Sequence, residues 1–213
     1  MRIDFVADVA CPWCAIGLAA LDKALERVGP GLDVELHMQP FELNPGMPPE
    51  GEEVAGYLKD KYGMSDEQFK AGQAQLAARG EQEGFRFGER KHVWNTFDAH
   101  RMVRWAGTEG LPGTQHALKR AMFAAYHGEG RNPSDPGVLL ELVAAVGLDV
   151  NRAREVLGSD EFADEVRAAE KFWQELGIHG VPAVIINRKH LISGGQPSAV
   201  FERALRELAT EKA

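Results

Sequence analysis

The tightest constraint on this chain is a pair of cysteines three residues apart, Cys11-Pro12-Trp13-Cys14, at the junction of a strand pattern and a helix pattern. Ile3, Phe5 and Ala7 alternate with Asp4, Val6 and Asp8, which predicts a strand over Ile3–Asp8. Cys11, Cys14, Leu18, Leu21, Leu25 and Val28 then recur every three or four residues, one face of a helix. Pro12 suits the first helical position, where its missing N–H costs nothing, and Gly29-Pro30-Gly31 stops the helix. Val34–Met38 reads as a second strand. Strand, helix and strand this close make a βαβ unit, so the two strands should be parallel.

The rest of the chain must cover that unit. With 213 residues and about 150 per domain, one large domain or a core with an insertion is expected. Pro40–Gly51, with four prolines and two glycines, reads as an extended loop. From there to about residue 158 the patterns are helical: a capping box at Ser65-Asp66-Glu67-Gln68, a stripe through Ala117, Leu118, Ala121, Met122 and Ala125, and another through Val138–Val146 bounded by Pro136 and Gly147. Phe85–Arg90 is the weakest stretch and reads as loop. A helix over Phe162–Leu176 ends at Gly177, Ala183–Ile186 and His190–Ser193 form a hairpin through Asn187-Arg188, and Pro197 opens a last helix. The expected architecture is α/β: a mixed core of residues 1–50 and 159–213 holding an all-helical insertion over 51–158.

Charge and composition narrow the function. The 24 basic and 32 acidic residues give a net charge of −8, which disfavours a nucleic-acid binder. Apolar residues are 44% and charged residues 26%, ordinary globular values. No apolar run reaches the roughly 18 residues of a membrane helix. The N-terminus lacks the apolar core of a secretory signal, so the chain reads as cytoplasmic.

Two cysteines are too few for a disulfide scaffold. Residues i and i+3 on a first helical turn are close enough to bridge. At the helix start, unpaired N–H groups and the helix dipole stabilise a thiolate, the species that attacks disulfides. Cys14, one turn further in, should be shielded and serve as the resolving thiol. Three other readings compete. A zinc half-site needs two further histidines, and none have ligand spacing in the mixed part. Inert buried thiols are common. A structural bridge across so short a loop removes little chain entropy. A redox dithiol fits the βαβ context best. Val181-Pro182, after a helix and before a strand, is where a thiol enzyme needs an extended backbone edge for substrate. Spacing alone leaves the isomer of that bond open.

Taken with Pro40-Phe41-Glu42-Leu43-Asn44-Pro45, Asn95-Thr96, Ala99-His100-Arg101 and Gly194-Gly195-Gln196-Pro197, these features resemble the DsbA-family thiol oxidoreductases, in their FrnE-like branch, over nearly the whole chain. The resemblance implies a thioredoxin-like core, a redox-active dithiol with Cys11 as nucleophile and Cys14 as resolving partner, and a cis bond before Pro182 in the active site. Pro12, Trp13, Val181 and His179 are the candidate substrate contacts, His179 also as a tuner of Cys11. The expected activity is thiol–disulfide exchange with a protein or small disulfide, recycled by a partner such as glutathione or another dithiol, with no metal or organic cofactor and no nucleic-acid or membrane partner. Apolar helices of the insertion offer a homodimer face. Two rival readings are a kappa-type glutathione transferase or 2-hydroxychromene-2-carboxylate isomerase relative, a group that typically has Ser where Cys11 stands, and a non-catalytic peptide-binding module.

Thr96 reads as an N-cap with its neighbours at the surface, although the resemblance turns that edge toward the active site. The basic stretch through Arg86, Arg90, Lys91, His92, Arg101 and Arg104 reads as a solvated face. Trp94, Trp105 and Trp173 read as packing. Secreted DsbA proteins typically carry His where Trp13 stands, and indole offers one N–H and no charge to a neighbouring thiolate. The dithiol should therefore be less oxidising than about −120 mV. Equilibration against a glutathione buffer checks this, and a potential at or above that value would contradict it.

Overall fold

The computed structural model describes residues 1–210; the last three residues of the second core segment lie outside the described residues. The predicted βαβ unit forms from β1 (Arg2–Ala7), α1 (Pro12–Val28) and β2 (Glu35–Pro40), with β1 and β2 parallel from Arg2↔Glu35 to Ala7↔Pro40. β1 stops one residue short of the expected end, because Asp8 turns away to serve as an acceptor described below. Its five residues Ile3–Ala7 are all buried, so the alternation read from sequence marks a strand covered on both faces.

Seven helices and a short ribbon intervene among the described residues: β3 (Glu52–Glu53), α2 (Val54–Tyr62), α3 (Asp66–Glu83), β4 (His92–Val93), α4 (Phe97–Glu109), α5 (Thr114–Phe123), α6 (Pro136–Ala145), α7 (Val150–Leu157) and α8 (Ala163–Glu175). The capping box at Ser65 and Gln68 forms as expected. Residues 51–158 are not all-helical, because β3 and β4 pair antiparallel. Two-residue strands carry no periodicity, so the sequence pattern could not announce them. The α5 stripe continues past Phe123 as a π-helical turn, Ala124–Gly128. Then β5 (Ala183–Ile186), β6 (His190–Ser193) and α9 (Ser198–Thr210) return the chain to the core. Asn187 and Arg188 turn the hairpin with φ of 52° and 57°. The sheet order is β2-β1-β5-β6, with β5 antiparallel to β1 and to β6.

The halves share one interior. The main apolar cluster joins Phe5, Leu18 and Val184 of the core to Met102, Leu118, Phe123 and Leu139 of the insertion. Trp105 and Trp173 are buried, as expected of packing residues. No helix among the described residues is long and apolar enough to cross a membrane.

Two buried histidines tie the insertion to the end of β1. His127, in the π-helical turn, lies with Nε2 2.8 Å from the Val9 carbonyl, and burial pushes its pKa down to about 3. Burial pushes His100, on α4, down to about 4. Both are therefore neutral in the native protein and near 6.5 when unfolded. Each contributes stability that is complete above pH 6.5 and falls by about 1.4 kcal/mol per pH unit as pH drops toward its native value. Denaturant unfolding of the wild type and His127→Gln should show the wild-type advantage shrinking between pH 7 and pH 4. An advantage constant with pH would contradict the assignment.

Candidate active site

Cys11 is the N-cap of α1, with extended backbone (φ −86°, ψ 112°), and Pro12 follows at the first helical position. No acidic residue occupies the first turn, so nothing there opposes a negative charge on sulfur. The Cys11 thiol lies 3.7 Å from the carbonyl oxygen of Val181, and the Val181–Pro182 bond is cis. Residues 170 positions apart thus meet at one sulfur. Cys11 is 5% exposed and Cys14 fully buried, both as free thiols. Burial, reinforced by the hydrogen bond and charge of Cys11, pushes the Cys14 thiol well above its ordinary value.

Small residues make that approach fit. A Cβ at Gly17 would lie 3.0 Å from Pro182 Cγ, so glycine lets α1 touch the proline loop. A Cβ at Gly195 would lie 3.2 Å from Trp13 Cε3, so the Gly194-Gly195 turn packs on the indole. Trp13 is half-buried between that turn and an apolar chamber.

Behind the sulfurs sits Asp8, wholly buried. Its Oδ1 accepts from the Ala10 amide at 3.0 Å and the Thr96 hydroxyl at 2.7 Å, and its Oδ2 accepts from the Leu43 amide at 2.7 Å. His100 Nε2 stands 3.4 Å from Oδ1. Burial would raise this carboxyl, but His100 and the amide donors outweigh it and hold it below its ordinary value. Thr96 is the N-cap of α4 by position, yet its side chain makes no cap hydrogen bond and serves Asp8 instead. The reading of its neighbours as surface is likewise corrected: His100 and Arg101 are buried, and Arg101 donates to the backbone carbonyls of Val156, Ser159 and Glu161.

Lys119, on α5, is the buried cation of the site. Its ammonium donates to the Ala7 carbonyl at 3.2 Å and lies over the Phe123 ring. Burial pushes its pKa down to about 8, against the opposing pull of Asp8 and both sulfurs. Arg90, read as part of a solvated face, instead donates to the Ala10 carbonyl at 3.1 Å beside the motif. The exposed Arg167 donates to the buried carboxylates of Glu42 and Glu170 and so secures the loop after β2 to α8, and burial raises Glu170 to about 7.

Cys11, Pro12 and Trp13 form one wall of a chamber of about 420 Å³, closed opposite by α2 and α3. His179 is exposed in the loop before Gly180 and does not line the chamber. Val181 is half-buried and Pro182 buried. Asp8, Lys119 and the chamber-lining residues of α2 and α3 escaped the sequence reading. Asp8 carried one faint signal, an acid ending an apolar strand three residues before the motif. Lys119 carried none. Among the described residues, no three His, Cys, Asp or Glu side chains gather as a metal would require.

The comparisons with known proteins agree with this geometry. The solved structure described as "probable DsbA oxidoreductase SCO1869 from Streptomyces coelicolor" is 36% identical, with a TM-score of 0.87 over 100% of this chain and 92% of that one. A 2-hydroxychromene-2-carboxylate isomerase shares the fold at 16% identity and a TM-score of 0.75, over 98% of this chain and 96% of its own. The cytosolic disulfide reductase DsbM from Pseudomonas aeruginosa, solved with GSH, does so at 21% identity and a TM-score of 0.66, over 99% of this chain and 100% of its own. The model of the DSBA-like thioredoxin domain matches residues 2–206, and the chain belongs to that family.

Proposed function

We propose that the protein is a thiol–disulfide oxidoreductase working through Cys11 and Cys14. The observation that carries the reading is the Cys11 thiol at the start of α1, 3.7 Å from the Val181 carbonyl, with Cys14 buried one turn behind. The Cys11 thiolate attacks one sulfur of a substrate disulfide and the other sulfur leaves as a thiolate. Cys14 then attacks Cys11 Sγ, the second substrate thiol departs, and a Cys11–Cys14 disulfide remains. Buried and raised, Cys14 stays protonated until this step, which keeps it from competing for substrate. Lys119, whose charge favours the Cys14 thiolate, assists its ionisation. Pro182 positions the Val181 edge, and Pro12, Trp13 and Val181 contact substrate. The exposed His179 would meet only the outer part of a large substrate.

Glutathione or a dithiol protein regenerates the reduced form, and the cytoplasm is the proposed compartment. DsbM, a cytosolic reductase solved with GSH on the same fold, is the precedent for both. The isomerase reading draws on the shared fold. Retention of both cysteines favours the redox reading over it and over a passive peptide-binding module. A homodimer through the insertion remains part of the proposal, tested by sedimentation.

Cys14→Ala should accumulate mixed disulfides on Cys11, visible by mass spectrometry, whereas Cys11→Ser should accumulate none. Absence of adducts, together with no insulin reduction by the parent protein, would falsify the proposal. Lys119→Met should slow release of a preformed mixed disulfide by about tenfold. It should also move the pH profile of that step upward while slowing capture by Cys11 less. Equal loss in both steps would assign Lys119 to folding alone.

A further inference from the structure

The chamber beside Cys11 is lined mainly by apolar and aromatic side chains, with Asn44, Gln73 and Gln75 as uncharged polar members. Trp13, Leu43, Leu58, Phe69 and Leu76 line it, and Arg90 is the one charged side chain among the described lining residues. That guanidinium is already engaged by the Ala10 carbonyl and the Tyr126 ring. No carboxylate among the described residues lines the space. Glutathione carries two carboxylates and an ammonium at neutral pH, and burying such charges without partners is costly. An apolar ring makes no such demand, and it gains by leaving water.

A second observation is independent of the lining. Gly72 sits inside α3, where glycine is a poorer helix former than alanine. Its φ is not in the left-handed region, and a Cβ there would meet nothing within 4 Å, so neither conformation nor crowding requires glycine. Gly72 lines the chamber. A side chain at this position would fill the space that its absence leaves open. Leu58, Phe69 and Leu76 meanwhile stay only half-buried although they face inward. A helix pair that gives up both helical stability and apolar burial around a void next to a reactive sulfur is shaped for an occupant.

We infer that this chamber binds the apolar, aromatic arm of a low-molecular-weight disulfide and sets the substrate class of the dithiol. The inference rests on the thiol–disulfide reading above. The arm enters between α1 and the α2–α3 pair, which brings its sulfur to Cys11 Sγ. The Cys11 thiolate bonds to that sulfur, the S–S bond breaks, and the other half leaves as a thiolate. Cys14 then displaces the aromatic thiolate from Cys11. In total the two protein thiols lose two electrons and two protons, and the substrate disulfide becomes two thiols. One turnover of the reduced protein needs no further reductant.

Stopped-flow measurement of the reduced protein with benzyl 2-hydroxyethyl disulfide and with bis(2-hydroxyethyl) disulfide tests the inference, because the two thiols released have similar acidity. The benzyl compound should react at least about tenfold faster, the scale expected for burying one ring. In Gly72→Leu, which suits a helix better than glycine, that ratio should fall toward one, with circular dichroism confirming the fold. Leu76→Gln, on the same wall, should lower the ratio by polarity rather than by filling. No benzyl preference in the wild type, or a preference that survives both substitutions, overturns the chamber assignment while the dithiol reading stands. Failure of both disulfides to oxidise the cysteines overturns the dithiol reading and the inference with it.

Discussion

The arrangement depends on a carboxylate placed where water cannot reach it. Asp8 is buried, and an ionised carboxylate removed from water costs several kcal/mol unless its oxygens are met by donors. The donors come from three segments distant in sequence: the Ala10 amide of the motif loop, the Leu43 amide after β2, and the Thr96 hydroxyl and His100 of α4. Removing any one leaves a buried charge under-satisfied, so core and insertion are held in a single register around the cysteine loop. The His127 contact to Val9 and the Arg90 contact to Ala10 fix the same loop from two further sides. The insertion is thus part of the scaffold that positions the sulfurs.

Charge and burial around the two sulfurs differ. Cys11 stands at the helix start, at the edge of the chamber, with no acidic residue in its turn. Cys14 is sealed among apolar side chains that disfavour its ionised form. Asp8 and Lys119 lie beneath them as buried opposite charges, and each makes the other less costly to hold. Two chemically identical side chains three residues apart meet different surroundings, because Cys11 borders the chamber and Cys14 faces the core.

Much of the fold was legible because its elements carry strong local signals. The stripe from Cys11 to Val28, the hairpin turn at Asn187-Arg188 and the cap at Ser65 all formed where periodicity and turn chemistry placed them. The β3–β4 ribbon was not legible, because two-residue strands exist only through their partner. Thr96, His100 and Arg101 look like an ordinary helix start until the acceptors they serve are known. Lys119 sits within an apolar stripe as any surface lysine at a stripe's edge would, and only packing shows that its ammonium points inward.

The amino-acid sequence by itself determined the cysteine pair, the helix that carries it and the parallel strands around it, because these follow from spacing within a few dozen residues. Tertiary structure alone decided that Lys119 turns inward, that Asp8 is the common acceptor of three segments, and that Gly72 lines a chamber. Each of those depends on which distant groups share a volume, and side-chain spacing along the chain carries no record of that.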